Sequence, residues 1–153
     1  KSAKQFESLG TRVCMVRTGI VLGDQGALAK MLLPFKLGLG GRIGDGRQLM
    51  SWIHINDMVN ILLHCIADPE LFGPINATAP NPVNNKTFVL ALGKVLHRPT
   101  LLPMPGFMVK SLLGEMGIEL LLQGQHVIPK KLQRNGFEFE FPMLSQALED
   151  LLD

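Results

Sequence analysis

The stretch Thr11–Thr18, TRVCMVRT, holds the run Val13-Cys14-Met15-Val16, four apolar residues with a β-branched residue at each end. An unbroken apolar run suits a strand covered on both faces, as in a parallel sheet between helices. Parallel neighbours require a crossover connection of a dozen or more residues, and only ten residues precede Thr11. The expectation is an α/β chain in which this strand's neighbours come from later in the sequence or lie outside it.

Downstream, Gly19 and Gly23 bracket Ile20-Val21-Leu22. Ala27–Phe35 has helical spacing, with Leu28, Met31, Leu32 and Phe35 on one face, and Pro34 is expected to end or kink it. GLGGRIGDG, residues 38–46, carries five glycines in nine positions. Its spacing satisfies neither G-x-G-x-x-G nor G-x-x-x-x-G-K-[ST], so it is taken as a flexible turn or hairpin rather than a phosphate loop. Arg47–Ile53 (RQLMSWI) suggests a short strand leading into a helix over Met58–Ile66. Asn56 is the expected N-cap of that helix, and Asp57 places negative charge in its first turn. Apolar residues cover most of the helix circumference, which predicts a central position.

Pro74–Thr78 (PINAT) is a further strand candidate. Asn84 or Asn85 then caps a helix whose stripe is Phe88, Leu92, Val95 and Leu96, and Thr100–Leu102 is a brief strand candidate. Residues 105–125 suggest two short helices split around Gly114–Gly117, and Pro129–Asn135 another short helix stopped by Gly136. Phe137–Phe141 (FEFEF) alternates strictly, the signature of a one-sided strand, and a terminal helix follows Pro142.

At 153 residues the chain is one ordinary domain in length, and 46% hydrophobic content is globular. A formal charge of +2 is too small to imply a nucleic-acid partner. No apolar run approaches a bilayer-spanning length of about 20 residues, and the polar opening KSAKQFESLG shows no signal peptide. Cys14 and Cys65 each sit in an apolar run, so they are taken as buried thiols in a reducing compartment, with a disulfide as the alternative. These features point to a cytoplasmic protein without membrane or nucleic-acid partners.

His54, His64, His97 and His126 are scattered without a metal-ligand spacing, and there is no G-x-S-x-G elbow. Glu138 and Glu140 read as a solvated edge; Lys130, Lys131 and Arg134 read as a solvated helix face. Arg17, Arg47, Gln48, Trp52 and His54 stand at strand ends, where ligands of open α/β sheets bind. The alternative is that Trp52 belongs to the core and His54 donates to a nearby carbonyl.

The run from Thr11 to Val59, the junction WIHINDM at 52–58, the segment GPINATAPNPVNNKTFVLALGKVLHRP and the ending GFEFEFPMLSQAL at 136–148 occur in one order. Together they resemble the second half of an atypical extended short-chain dehydrogenase/reductase, and more narrowly the bacterial epimerase-family proteins described as sugar-nucleotide epimerases. The resemblance implies an NAD(P)-binding Rossmann-like fold of which this chain is the C-terminal part, mostly substrate lobe with short strands and helices. It divides the chain into a substrate-binding part at residues 1–98 and a small C-terminal α+β module at 99–153, with the nucleotide-binding N-terminal half absent. The chain has no tyrosine, so the family's usual proton donor is expected outside it, and no catalytic residue is assigned here.

The implied activity is that of an NAD(P)-dependent epimerase or oxidoreductase acting by hydride transfer on a small, sugar-like substrate, with this chain alone inactive. The alternative is a non-catalytic nucleotide-binding or protein-interaction scaffold of the same fold. The cofactor would be NAD or NADP, with Thr18, Gly19 and Val21 near its nicotinamide end. Arg17, Gln48, Trp52 and His54 are the candidates for the substrate cleft. Two positions depart from sugar-nucleotide epimerases, which have Asn in place of Ile20 and often a diphosphate-gripping Arg in place of Met50. The departures argue against an ordinary nucleotide-diphosphate sugar as substrate.

Overall fold

The computed structural model describes residues 2–104 and 124–152. After a 3-10 helix at Ser2–Leu9, the decisive apolar run becomes β1 (Cys14–Thr18), followed directly by β2 (Ile20–Leu22). The run changes partners at Gly19. β1 pairs in parallel with β5 (Gly73–Ala77), whereas β2 pairs in parallel with β4 (Trp52–His54). At the switch, Gly19 N–H donates to Ala77 O at 3.2 Å and Ile20 N–H donates to Ser51 O at 2.8 Å. A Cβ on Gly19 would lie 2.5 Å from Ser51 O, so only glycine allows the two backbones this close.

Among the described residues β1 is not covered on both faces. Cys14, Met15 and Val16 are half-buried, and Arg17 and Thr18 are exposed. Among the described residues the ladder partner of β1 is β5, which leaves the strand with less cover than an interior position gives.

The crossover from β2 to β4 contains α1 (Ala27–Lys36), which buries Leu28, Met31 and Phe35 and continues two residues past Pro34 instead of ending there. The Arg47–Ile53 strand is split. Leu49–Met50 forms β3, antiparallel to β6 (Val83–Asn84), and Ser51 separates it from β4. Between β4 and β5 runs α2 (Ile55–Ala67). Its N-cap is His54 rather than Asn56: the imidazole Nδ1 accepts the Asn56 N–H at 3.1 Å. Among the described residues, Ile61 and Cys65 of α2 are buried, while Val59, Leu62, Leu63 and Ile66 are exposed.

Asn84 Oδ1 accepts from Thr87 N–H at 2.8 Å and caps α3 (Asn85–Val95), as the sequence suggested. Thr100–Leu102 forms no strand; the pairing there is a single bridge from Met104 to Ile43. The two helices expected within 105–125 fall almost wholly on 105–123, outside the described residues. Lys130–Arg134 forms α4, and Gly136 at φ 77° follows its end. Phe137–Phe141 keeps its alternation, with the phenylalanines half-buried and Glu138 and Glu140 exposed, but it has no ladder and is not a strand. Two of its amides donate to the Asp57 carboxylate instead. Leu144–Leu152 forms α5, which packs Leu144, Ala147 and Leu148 inward.

Two apolar clusters result. One holds Leu22, Phe35, Met50, Trp52, Phe88, Leu92 and Leu148; the other holds Ile53, Ile61, Leu71, Ile75 and Leu132. The alternating residues of β4 explain the division, since Trp52 enters the first cluster and Ile53 the second. Fully burying a side chain of this size is worth about 1.5–3 kcal/mol. No helix among the described residues is long and apolar enough to cross a membrane.

Candidate ligand site at the strand ends

Arg17 and Asn76 are register partners in the parallel pair β1–β5. They therefore project from the same face, about 4.8 Å apart across the ladder, near the carboxyl ends of their strands. Thr18, Gly19, Ser51 and Thr78 continue the surface these two begin, and Gln125 and Val127 approach from a later segment. Together the eight residues line a partly open cavity of about 240 Å³. The lining residues carry hydroxyls, carboxamides, one guanidinium and the apolar side chain of Val127, with no carboxylate among them.

The wall formed by residues 125–128 is attached by side chains rather than by a sheet. Ser51 Oγ accepts the Val127 N–H at 2.9 Å and donates to Gln125 O at 2.8 Å. Thr78 Oγ1 donates to Val127 O and Asn76 Nδ2 donates to Ile128 O, both at 3.3 Å. Among the described residues, a backbone bond runs from Gln125 N–H to Leu49 O at 2.7 Å.

Of the residues singled out from sequence, Arg17, Thr18 and Gly19 come together in this cavity. Val21 is half-buried against the second apolar cluster and does not line it. The Gln48 carboxamide donates to Ile43 O at 2.9 Å, in the glycine-rich turn. Trp52 is fully buried, and its indole N–H donates to Asn81 O at 3.0 Å. His54 is 1% exposed and stacks on Phe141 with ring centroids 3.9 Å apart. Its Nδ1 caps α2, so in the neutral ring the proton sits on Nε2, 3.2 Å from Asp150 Oδ2 but without good hydrogen-bond geometry. Gln48, Trp52 and His54 thus sit apart from the cavity, the last two as core and cap.

Asn76 and Thr78 are legible by the same strand-end rule that picks out Arg17, because PINAT reads as a strand. Ser51 is hidden inside an apolar strand, and Gln125 and Val127 carry no local signal. Elsewhere, Asp57 is fully buried and accepts the backbone N–H groups of Glu140 at 2.8 Å and Phe141 at 3.0 Å. Its role is to hold the terminal extended segment rather than to charge the helix start alone. Both cysteines are free thiols, and burial, followed by the adjoining Cys14, pushes the Cys65 thiol above its ordinary value. The described residues contain no cluster of three metal-ligating side chains.

The family described as "Domain of unknown function (DUF1731)" matches residues 104–151. Epimerase family protein YfhF of Bacillus subtilis is 41% identical over 152 residues, which covers 99% of this chain and 50% of YfhF. The crystal structure of human epimerase family protein SDR39U1 (isoform 2) with NADPH superimposes with a TM-score of 0.85 at 40% identity, over 93% of this chain and 48% of that one. The likeness is therefore not confined to bacteria. UDP-glucose 4-epimerase of Thermus thermophilus, in complex with NAD, gives a TM-score of 0.70 at 16% identity, over 99% of this chain and 49% of that one, and shows the shared fold alone. The chain spans about half the length of the curated relatives it matches. In sequence and in fold it is similar to about half of an epimerase family protein, with the domain of unknown function at its C-terminal end.

Proposed function

We propose that this chain supplies one wall of the ligand site of an NAD(P)-dependent epimerase or oxidoreductase, with Arg17, Thr18 and Gly19 beside the nicotinamide end of the cofactor. The observation that carries this is the cavity at the carboxyl ends of β1 and β5, in a chain 40% identical to a protein crystallised with NADPH. The donor set fits a nicotinamide, since Thr18, Asn76, Thr78 and Gln125 can exchange hydrogen bonds with a carboxamide. The cofactor, when bound, gives or takes a hydride.

The chain's own residues bind and orient. Arg17 holds a positive charge at the mouth of the cavity, where it favours an anionic part of cofactor or substrate. Asn76 spends its amide N–H on Ile128 and keeps its carbonyl oxygen to accept from a ligand. Tyrosine is absent from the sequence, so the proton that accompanies hydride transfer is assigned to groups outside this chain. The chain alone is then inactive, and the reaction belongs to the full-length protein.

Met50, where related epimerases often use arginine, is 1% exposed within the first apolar cluster. Ile20, in place of an asparagine, is likewise buried. Neither side chain is placed to grip a diphosphate, which favours a small substrate without that group. The division of the chain into a substrate-binding part at 1–98 and a C-terminal module at 99–153 is kept as part of the same proposal.

The test is fluorescence titration of the full-length protein with NADPH, followed by a screen of small polyols and sugars for NADP⁺ reduction, of keto acids for NADPH oxidation, and of sugars for epimerisation without net cofactor change. Saturable binding with turnover of one class supports the enzyme. Binding without turnover favours a nucleotide-binding scaffold, and failure to bind removes the cofactor assignment.

A further inference from the structure

We propose that Ser51 is a positioning residue of this ligand site, pinning residues 125–128 across the strand ends so that Gln125 faces the bound ligand. This rests on the cofactor site proposed above. It also gives the C-terminal region matched by the domain of unknown function a definite task, because Gln125 and Val127 lie within that match and form one side of the cavity.

Ser51 is suited to the task by its place between two short strands. Its carbonyl accepts from Ile20 N–H at 2.8 Å, at the point where the first strand switches partners, so the backbone at Ser51 is fixed against Gly19. The side chain is 4% exposed. One hydroxyl therefore serves two backbone groups of the strap, accepting from Val127 and donating to Gln125. The supporting bonds from Thr78 and Asn76 are longer. Without the Ser51 hydroxyl, the Val127 N–H and Gln125 C=O lose the partner they share, leaving the strap on the Gln125 N–H to Leu49 O bond at 2.7 Å and the longer side-chain bonds. A desolvated backbone group without a partner is costly. The strap would then lift, and the Gln125 carboxamide, which is solvent-exposed and lines the cavity, would lose its aim.

Gln125 sets what the wall can recognise. A carboxamide both donates and accepts, whereas the neighbouring Arg17 only donates. The pair suits a ligand that presents an acceptor to Arg17 and a mixed donor–acceptor group, such as a carboxamide or vicinal hydroxyls, to Gln125.

The experiment uses the full-length protein, NADPH as probe, and two readouts: binding by cofactor fluorescence and backbone hydrogen exchange at Val127. In Ser51→Ala, Val127 should exchange faster and NADPH should bind about five- to tenfold more weakly, the loss of roughly one hydrogen bond. Ser51→Thr, which keeps the hydroxyl, should recover most of both. Gln125→Ala should weaken binding similarly while leaving Val127 exchange as in the unsubstituted protein, and it serves alone if Ser51→Ala does not fold. Faster exchange in Ser51→Ala with NADPH affinity within twofold of the unsubstituted protein in both variants would show a merely structural strap and overturn the inference. Absence of NADPH binding in the unsubstituted protein would instead remove the cofactor assignment, and this inference with it.

Discussion

The carboxylate of Asp57, in the first turn of α2, accepts the backbone N–H of Phe141 at 3.0 Å across 84 residues of sequence. Its other oxygen accepts from Glu140 at 2.8 Å. A buried carboxylate is tolerable only when it is hydrogen-bonded, and here the partners are amides that a missing sheet ladder leaves free. One side chain thereby ties the FEFEF segment to the helix that begins within WIHINDM.

Asp57→Ala should remove both bonds and strand two amides, lowering stability by about 3 kcal/mol, since each bond to a charged acceptor contributes ~1.5–3 kcal/mol. Urea unfolding checks this. A change below about 0.5 kcal/mol would show the terminal segment to be held by its phenylalanines alone.

Gly19→Ala should cost about 2 kcal/mol, as for other overpacked sites, because the new methyl meets the Ser51 carbonyl oxygen at 2.5 Å. Thermal unfolding measures it. Gly23→Ala is the control: its added Cβ meets Ile55 at an ordinary 3.5 Å.

Arg17→Ala should leave stability within about 0.5 kcal/mol, as for an exposed residue. Binding of NADPH or substrate to the full-length protein should weaken about tenfold. Unchanged binding and kinetics would take Arg17 out of the site.

The Cys65 thiol is pushed above its ordinary value, first by burial and then by Cys14, with Arg12 and Lys131 opposing. A group whose pKa is higher folded than unfolded contributes stability that is complete below the unfolded value. That contribution is lost as pH climbs through the folded value. Stability should therefore fall more steeply above pH 9 in the native protein than in Cys65→Ala, and Cys65 should alkylate faster in urea than when folded. Equal alkaline slopes in the two proteins would contradict this.

Local pattern alone located some of the elements. Helical spacing marked α1, α3 and α5, an asparagine before Lys86 marked the α3 cap, and the unbroken run at Val13–Val16 announced an α/β fold. Alternation in FEFEF correctly told which side chains face inward, but not that the segment would lack a ladder. Alternation reports burial on one face, whereas a ladder depends on whether another backbone lies alongside.

Arg17, Thr18 and Gly19 were found because a strand end is a local feature that a sequence can mark. Trp52 and His54 share that local feature, yet the pleat turns them into the core beside Phe88 and Phe141. Which face of β4 meets water is settled by what packs on it, and those residues arrive from α3 and the C-terminal segment. The same holds for Ser51 and Gln125, which no spacing relates to the strand ends. Their convergence needs a backbone that switches partners at Gly19 and a strap that returns more than 70 residues later, at Gln125. Residue order was enough for the class of fold and one corner of the site; packing in three dimensions settled the rest, because hydrogen-bond geometry across distant segments has no imprint on neighbouring residues.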